Sequence, residues 1–279
     1  MAQSTYSLRT RSLHGREYWT RRVGRAIVYV LTLILGIMFM LPFFWTVVSA
    51  FKTPIELYVF PPTLWPVKPQ PRNFVRIFEV VPFARWAWNS IYIAFFNVMA
   101  EVLVASAVAY GFSRYRFRGR NVLFILLLST MMLPAYVTII PAFLMYRVLG
   151  WIDTHLPLIV PSFFGGGAFN VFLLRQFFMT IPMDFDEAAY VDGASSFTIF
   201  WKLILPLSRP ALSTVAIFAF LGSWNNFLGP LIFLNNSPKF TLPLGITYFR
   251  VVPMEGSEPR DHLLMAASVA VTMPAVILF

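Results

Sequence analysis

Six stretches of this chain stay apolar for longer than a soluble helix requires, and they recur along nearly all of its length. A hydrocarbon core of ~30 Å takes about 20 helical residues to cross. Blocks at about 26–51, 87–113, 121–145, 156–178, 211–233 and 263–279 therefore predict an all-α membrane protein with six transmembrane helices. No segment between them is long enough for a separate soluble domain. Composition agrees: 58% of residues are hydrophobic and 12% charged, against about 25% charged in an ordinary globular domain. With no cysteine, disulfides, thiolate metal sites and cysteine nucleophiles are excluded.

The net charge of +10 does not point to nucleic acid, which wants one basic face on a folded domain. The arginines instead cluster beside apolar blocks, where positive charge fixes orientation in a membrane. Residues 1–25 hold Arg9, Arg11, Arg16, Arg21, Arg22 and Arg25 against the single acid Glu17 and read as a cytoplasmic N-terminal tail. The block behind them is too long for a cleavable leader, and Pro42 is expected to kink it. Arg114, Arg116, Arg118 and Arg120 mark a short cytoplasmic turn after the second block. Both termini are thus expected on the cytoplasmic side of the cell membrane, with external loops at 52–86 and 235–262. The first is rich in proline (Pro54, Pro61, Pro62, Pro66, Pro69, Pro71, Pro82), which forbids long helix. The second carries Glu255, Glu258, Arg260 and Asp261 and reads as a contact for an external partner or as a plain connection. The last block has a short apolar run at the lower length limit and no polar flank.

One long polar interruption, 181–209, divides the fourth block from the fifth. Pro182 followed by Asp184, Asp186 and Glu187 is a good helix start, since acids suit the positive end of the helix dipole. The small residues Ala188, Ala189 and Ala194 let another backbone come close, and Gly193 permits a bend. A second amphipathic piece, 197–205, is expected to end at Pro206, and Ser208 before Arg209-Pro210 to cap the next helix. By residue chemistry alone this is either a solvated connection or a docking element.

The order of residues favours docking. Glu187, Ala188, Ala189, Asp192, Gly193 and Ala194, followed by Phe200, Leu203, Leu205, Pro206, Leu207 and Pro210, resembles the signature loop of binding-protein-dependent ABC importer permeases. Pro61-Pro62-Thr63-Leu64-Trp65-Pro66 and Trp224-Asn225-Asn226-Phe227 are similar to the carbohydrate-uptake branch, in particular the shorter permease of maltose systems. The resemblance implies a permease subunit without catalysis of its own. A second permease of similar fold, two ATPase subunits and an external sugar-binding protein would be its partners. The first helix of the loop would couple to a groove of the ATPase, with Glu187 near a basic residue. ATP and Mg²⁺ would be bound by those partners, since this chain has no G-x-x-x-x-G-K-[ST] phosphate loop. Such subunits normally continue past the last span into a short tail.

Ionisable and amide groups inside spans are costly and default to functional hypotheses. Glu101 is the clearest, either neutralised or paired in a helix interface. Asn97, one turn earlier, lies on the same face and is placed to share its hydrogen bonds. Asn170, Asn225 and Asn226 line a candidate sugar path or serve as helix–helix glue, and the ring of Trp224 is of the kind that packs on sugars. Gly165-Gly166-Gly167 reads as close helix packing or a hinge. His14, His155 and His262 are too dispersed for a metal site. An enzyme on lipid-linked substrates would need Asp or His clustered at a membrane face. An ion-coupled transporter would show internal repeats, and 26–145 does not repeat in 156–279.

Overall fold

The computed structural model describes the backbone of residues 3–251 and 260–278, with side chains over 22–249 except 135, and over 260–278. The side chains of Arg9, Arg11, Arg16, Arg21 and His14, and the loop residues Glu255 and Glu258, lie outside the described set. Every described regular element is helical.

Helix α1 (Gln3–Ala50) runs straight from the arginine-rich tail into the first apolar block, and Pro42 does not end it. The arginine-rich tail is helical too, since arginine is a good helix former and offers no stop. From Arg22 to Pro42 every residue of α1 is exposed, and only its last turns are buried, packing on the helix Asp261–Leu278. The proline-rich loop holds a 3-10 turn (Ile55–Tyr58) and a short helix, α2 (Asn73–Val80), pinned where the Asn73 amide donates to the carbonyls of Ala50 (2.9 Å) and Lys52 (3.0 Å).

Helix α3 (Phe83–Arg114) is the spine. Trp86, Ser90, Ile93, Asn97, Ala100, Ala105, Ala109 and Tyr110 are buried on it, close to a three-to-four-residue stripe. The alanines admit close neighbours, and the helices Ala168–Thr180 and Arg209–Trp224 pack there. Two cores are strung along it. One gathers Trp86, Ile77, Leu242, Phe249 and Leu263 near its start. The other gathers Ala105, Tyr110, Leu174, Phe178, Phe200, Ile204 and Val215 near its end.

The third apolar block is not one rod. It divides into α4 (Arg120–Ser129), a 3-10 turn and α5 (Ala135–Val148), bent by 98°. Pro134 explains the break, because the residue before a proline is driven out of the helical region, and Leu133 is extended at ψ 120°. The fourth block opens with a single turn, α6 (Leu156–Ile159), and a 3-10 turn. It then passes Gly165, Gly166 and Gly167, all with φ between 63° and 110°, before α7 (Ala168–Thr180). Close packing and loss of helix occur together here: a Cβ on Gly166 would stand 2.4 Å from the Ala105 nitrogen.

After α7 come α8 (Asp184–Val191), α9 (Ser196–Ile199), a π-helical turn and α10 (Leu205–Leu207). Pro206 does not end the second piece as expected. The Leu205 N–H reaches back to Phe200, a widened turn that carries the proline, and the 80° bend falls after Leu207. Nor does Ser208 cap the next helix; its hydroxyl is buried with no partner among the described residues. Helix α11 (Arg209–Trp224) stops at Asn225, short of the expected span end, and α12 (Leu228–Phe233) follows. The second loop contains a helix that periodicity missed, α13 (Leu242–Val251), before α14 (Asp261–Leu278). Among the described residues four helical stretches are long and apolar enough to cross a membrane, up to six if each bent pair is one span.

Candidate functional site

The motif-bearing helix α8 begins with Asp184, Asp186 and Glu187 in its first turn, where their charge suits the helix dipole. It closes in a tight reversal. Asp192, Gly193 and Ala194 donate their N–H groups to Ala188 (3.1 Å), Tyr190 (3.0 Å) and Ala189 (2.9 Å). Gly193 sits at φ 81°, the left-handed position that ends many helices and that glycine adopts without strain. The six motif residues do not share one face. Glu187, Ala188, Asp192 and Gly193 are exposed, whereas Ala189 and Ala194 turn inward against the core of Phe178, Ile199 and Phe200. Two of the small residues thus serve the chain's own packing and four remain available to a neighbour.

What holds this loop was not legible in the sequence. Arg114, the last residue of α3, donates from Nη1 to the Ile181 carbonyl (3.0 Å), which ends α7. Its Nη2 faces Asp186 Oδ2 at 3.3 Å, both side chains being nearly fully buried. Burial raises the Asp186 carboxyl above the usual range, and the guanidinium draws it back. One turn earlier the Tyr110 hydroxyl donates to the Ser196 carbonyl (3.3 Å). Helix α3 therefore grips the loop ahead of α8 and behind it.

Midway along α3 lie the candidate path residues. Glu101 accepts from the Asn170 amide at 2.7 Å, the paired state allowed for it. Asn97 does not share that bond, contrary to expectation. Its amide donates to the Leu158 carbonyl (3.0 Å) and Ser223 Oγ (2.9 Å), and its oxygen accepts from Ser162 (2.8 Å). It ties α3 to three other segments. Asn225 and Asn226 are exposed, and the Asn226 oxygen accepts the Gly229 N–H (3.0 Å) to start α12. Trp224 is displaced from the expected role: its ring stacks on Phe220 and its N–H goes to the Val271 carbonyl at 3.1 Å. Only apolar side chains line the groove it borders, a space of about 580 Å³ between α3, α11 and α14, and that groove offers a sugar no hydrogen bonds.

The start of α3 grips the segment 237–242. Trp86 donates its indole N–H to the Ser237 carbonyl (2.6 Å), Asn89 to Pro238 (3.0 Å) and Phe240 (2.9 Å), and Ser90 accepts from the Leu242 N–H (2.8 Å). Beside it Asp153, at φ 58°, accepts from the backbone of Asn235 and Asn236 and from Lys239 Nζ (2.6 Å). His155, linked to the Tyr92 hydroxyl, meets the Lys239 carbonyl. Burial opposes ionisation of Asp153, but Lys239 and the surrounding N–H donors outweigh it and hold its carboxyl well below the usual range. A depressed carboxyl contributes stability in full above its unfolded pKa of about 4 and loses it as pH falls below that value. Asp153→Asn should therefore lower the unfolding temperature of the detergent-solubilised chain at pH 7. The deficit should shrink below about pH 4; an equal deficit at pH 7 and pH 3 would contradict the assignment.

The comparisons with known proteins bear on this architecture. Residues 101–279 match the family described as binding-protein-dependent transport system inner membrane component. The arabinooligosaccharides transport system permease protein AraQ of Halalkalibacterium halodurans is 36% identical over 208 residues, 74% of this chain and 72% of that protein. The trehalose/maltose transport system permease protein MalG of Thermococcus litoralis is 32% identical over 256 residues, 91% of this chain and 90% of that protein. A chain in the crystal structure of a bacterial ABC transporter that imports the acidic polysaccharide alginate superposes with a TM-score of 0.81. That match has 26% identity and covers 92% of this chain and 94% of the other. A further chain shares the fold alone (TM-score 0.63, 15% identity, covering 92% of this chain and 93% of the other), from the alginate transporter in complex with its alginate pentasaccharide-bound periplasmic protein. With more than half its length inside the family match, this helical chain is a member of the binding-protein-dependent inner-membrane permeases of ABC transporters, which are not themselves enzymes.

Proposed function

We propose that the chain is one permease of an ATP-driven sugar importer, coupled to an ATPase subunit through the loop 181–209. The observation that carries this reading is the exposed set Glu187, Ala188, Asp192 and Gly193, held outward by an α8 whose other face is anchored to α3. A rigid helix offering an acid and small residues suits a groove that carries a basic group. In this reading a second permease of similar fold completes the pathway, and two ATPase subunits supply ATP and Mg²⁺ chemistry. An external binding protein delivers the sugar near 235–262. Six spans would put both termini on one side, and the arginines of 1–25 and 114–120 favour the cytoplasm for that side. The polar groups of Glu101, Asn97, Asn170, Asn225 and Asn226 are the candidates for the pathway wall. Sugar as substrate is supported by the oligosaccharide and disaccharide systems of the relatives.

Purification of the tagged chain from its native membrane tests the assembly, since the reading expects an ATPase subunit and a second permease to come with it. Glu187→Arg tests the docking face. Juxtaposing like charges costs several kcal/mol, so oligosaccharide uptake should fall to about a tenth or less while the variant stays in the membrane. Normal uptake by that variant would remove the docking role.

A further inference from the structure

We infer that Arg114 is a positioning residue that makes the loop helix α8 and the spine α3 move as one body; this rests on the docking reading above. Three features of the geometry converge. First, α7 and α8 are joined by a short non-helical link, with Ile181 extended at ψ 122°, a place where displacement of α8 can be absorbed before it reaches any span. Second, Arg114 bridges that link. It holds the Ile181 carbonyl on one side and faces Asp186 on the other, and its Nη1 also lies 3.0 Å from the Met183 sulfur. Third, α3 continues without interruption from Arg114 to Asn97 and Glu101. It reaches the segments of Leu158, Ser162, Asn170 and Ser223 through their hydrogen bonds.

The chemistry of the pair suits a joint better than a brace. A buried ion pair adds little stability over an apolar pair of similar volume, because desolvation offsets the attraction. What it adds is registry, since only one relative placement of two helices leaves neither charge uncompensated. Among the described residues Arg114 Nε and Nη2 and Asp186 Oδ2 make no hydrogen bond, so the pair at 3.3 Å is held by charge rather than by a closed fork. The contact between Tyr110 and Ser196 secures the far side of the loop. Small displacements are passed on when packed elements have discrete arrangements, and here the link bypassed by Arg114 is the only slack between α7 and α8.

The absence of cysteine makes the test direct. Spin labels on Asp184→Cys in α8 and Phe95→Cys in α3, both exposed positions, are measured in the assembled importer without nucleotide and after trapping with ATP and vanadate. With Arg114 intact the distance between labels should stay within about 2 Å across the two states. With Arg114→Gln it should change by about 5 Å, roughly a helical turn, and Arg114→Lys should fall between. Asp186→Asn, which keeps side-chain shape and the Ile181 contact, should act in the same direction and decides the matter if Arg114→Gln does not assemble. The inference is overturned if the labels separate with Arg114 intact, or if neither variant changes their distance. Failure of the docking reading looks different: the Asp184 label would then be as accessible to a water-soluble relaxant with the ATPase subunits as without them.

Discussion

Gly166→Ala is expected to leave the chain marginally folded at best. A Cβ there would lie 2.4 Å from the Ala105 nitrogen and 2.7 Å from its Cα, both backbone atoms of the spine helix. No rotamer change relieves such a contact, so α3 and α7 must separate through their shared core. Overpacking of this kind costs about 1–3 kcal/mol, and a non-glycine residue at φ 63° adds about 1 kcal/mol or more of backbone strain. Heating the detergent-solubilised protein and following loss of the monodisperse peak should show a lower transition and a reduced yield. Gly119→Ala is the control: its φ is 83° but nothing lies within 4 Å of the added carbon, so backbone strain alone should act and the loss should be clearly smaller. Equal losses in the two variants would mean that the approach to Ala105 does not matter.

Trp86→Ala should be comparably damaging at the other end of α3. The indole is fully buried, lies against Gly245 so closely that a Cβ there would meet the ring at 2.2 Å, and donates to Ser237. Removing a large buried aromatic costs about 3–5 kcal/mol. Trp86→Phe separates the two contributions, because it keeps most of the packing but leaves the Ser237 carbonyl without its donor, at about 1–3 kcal/mol. Thermal unfolding should rank Trp86→Ala below Trp86→Phe below the unaltered chain, and limited proteolysis should cut first within 235–242. A Trp86→Phe protein as stable as the parent would show that packing alone holds the segment.

The sequence was informative where a rule is local. Long apolar runs mark an all-helical membrane chain because hydrocarbon tolerates little else, and α8 was visible because Pro182 and three acids mark a helix start. The interruptions were harder. Pro134 breaks the third block and Asn225 ends α11, yet Pro42 and Pro206 lie within helices; whether a proline bends or ends a helix depends on neighbours that take over the freed carbonyl. Helix α13 was hidden in a loop rich in proline and charge. The long-range pairs were beyond reach altogether. Nothing near Arg114 indicates Asp186 as its partner, and nothing near Asn89 indicates Phe240, because topology alone brings them together. Trp224 shows the converse error: a residue type suited to sugars is used up in packing.

The bare face of α1 has its own consequence. From residue 26 to residue 42 every side chain of the helix is exposed, so within the described chain it is held through its last turns, packed on α14, and not along this stretch. Lipid tails are as apolar as its leucines, and in such a solvent burial gives no reason to prefer one rotation. Substitutions along 26–41 should therefore be silent in any assay of the purified subunit's own stability. Probes placed there will instead report the company the subunit keeps.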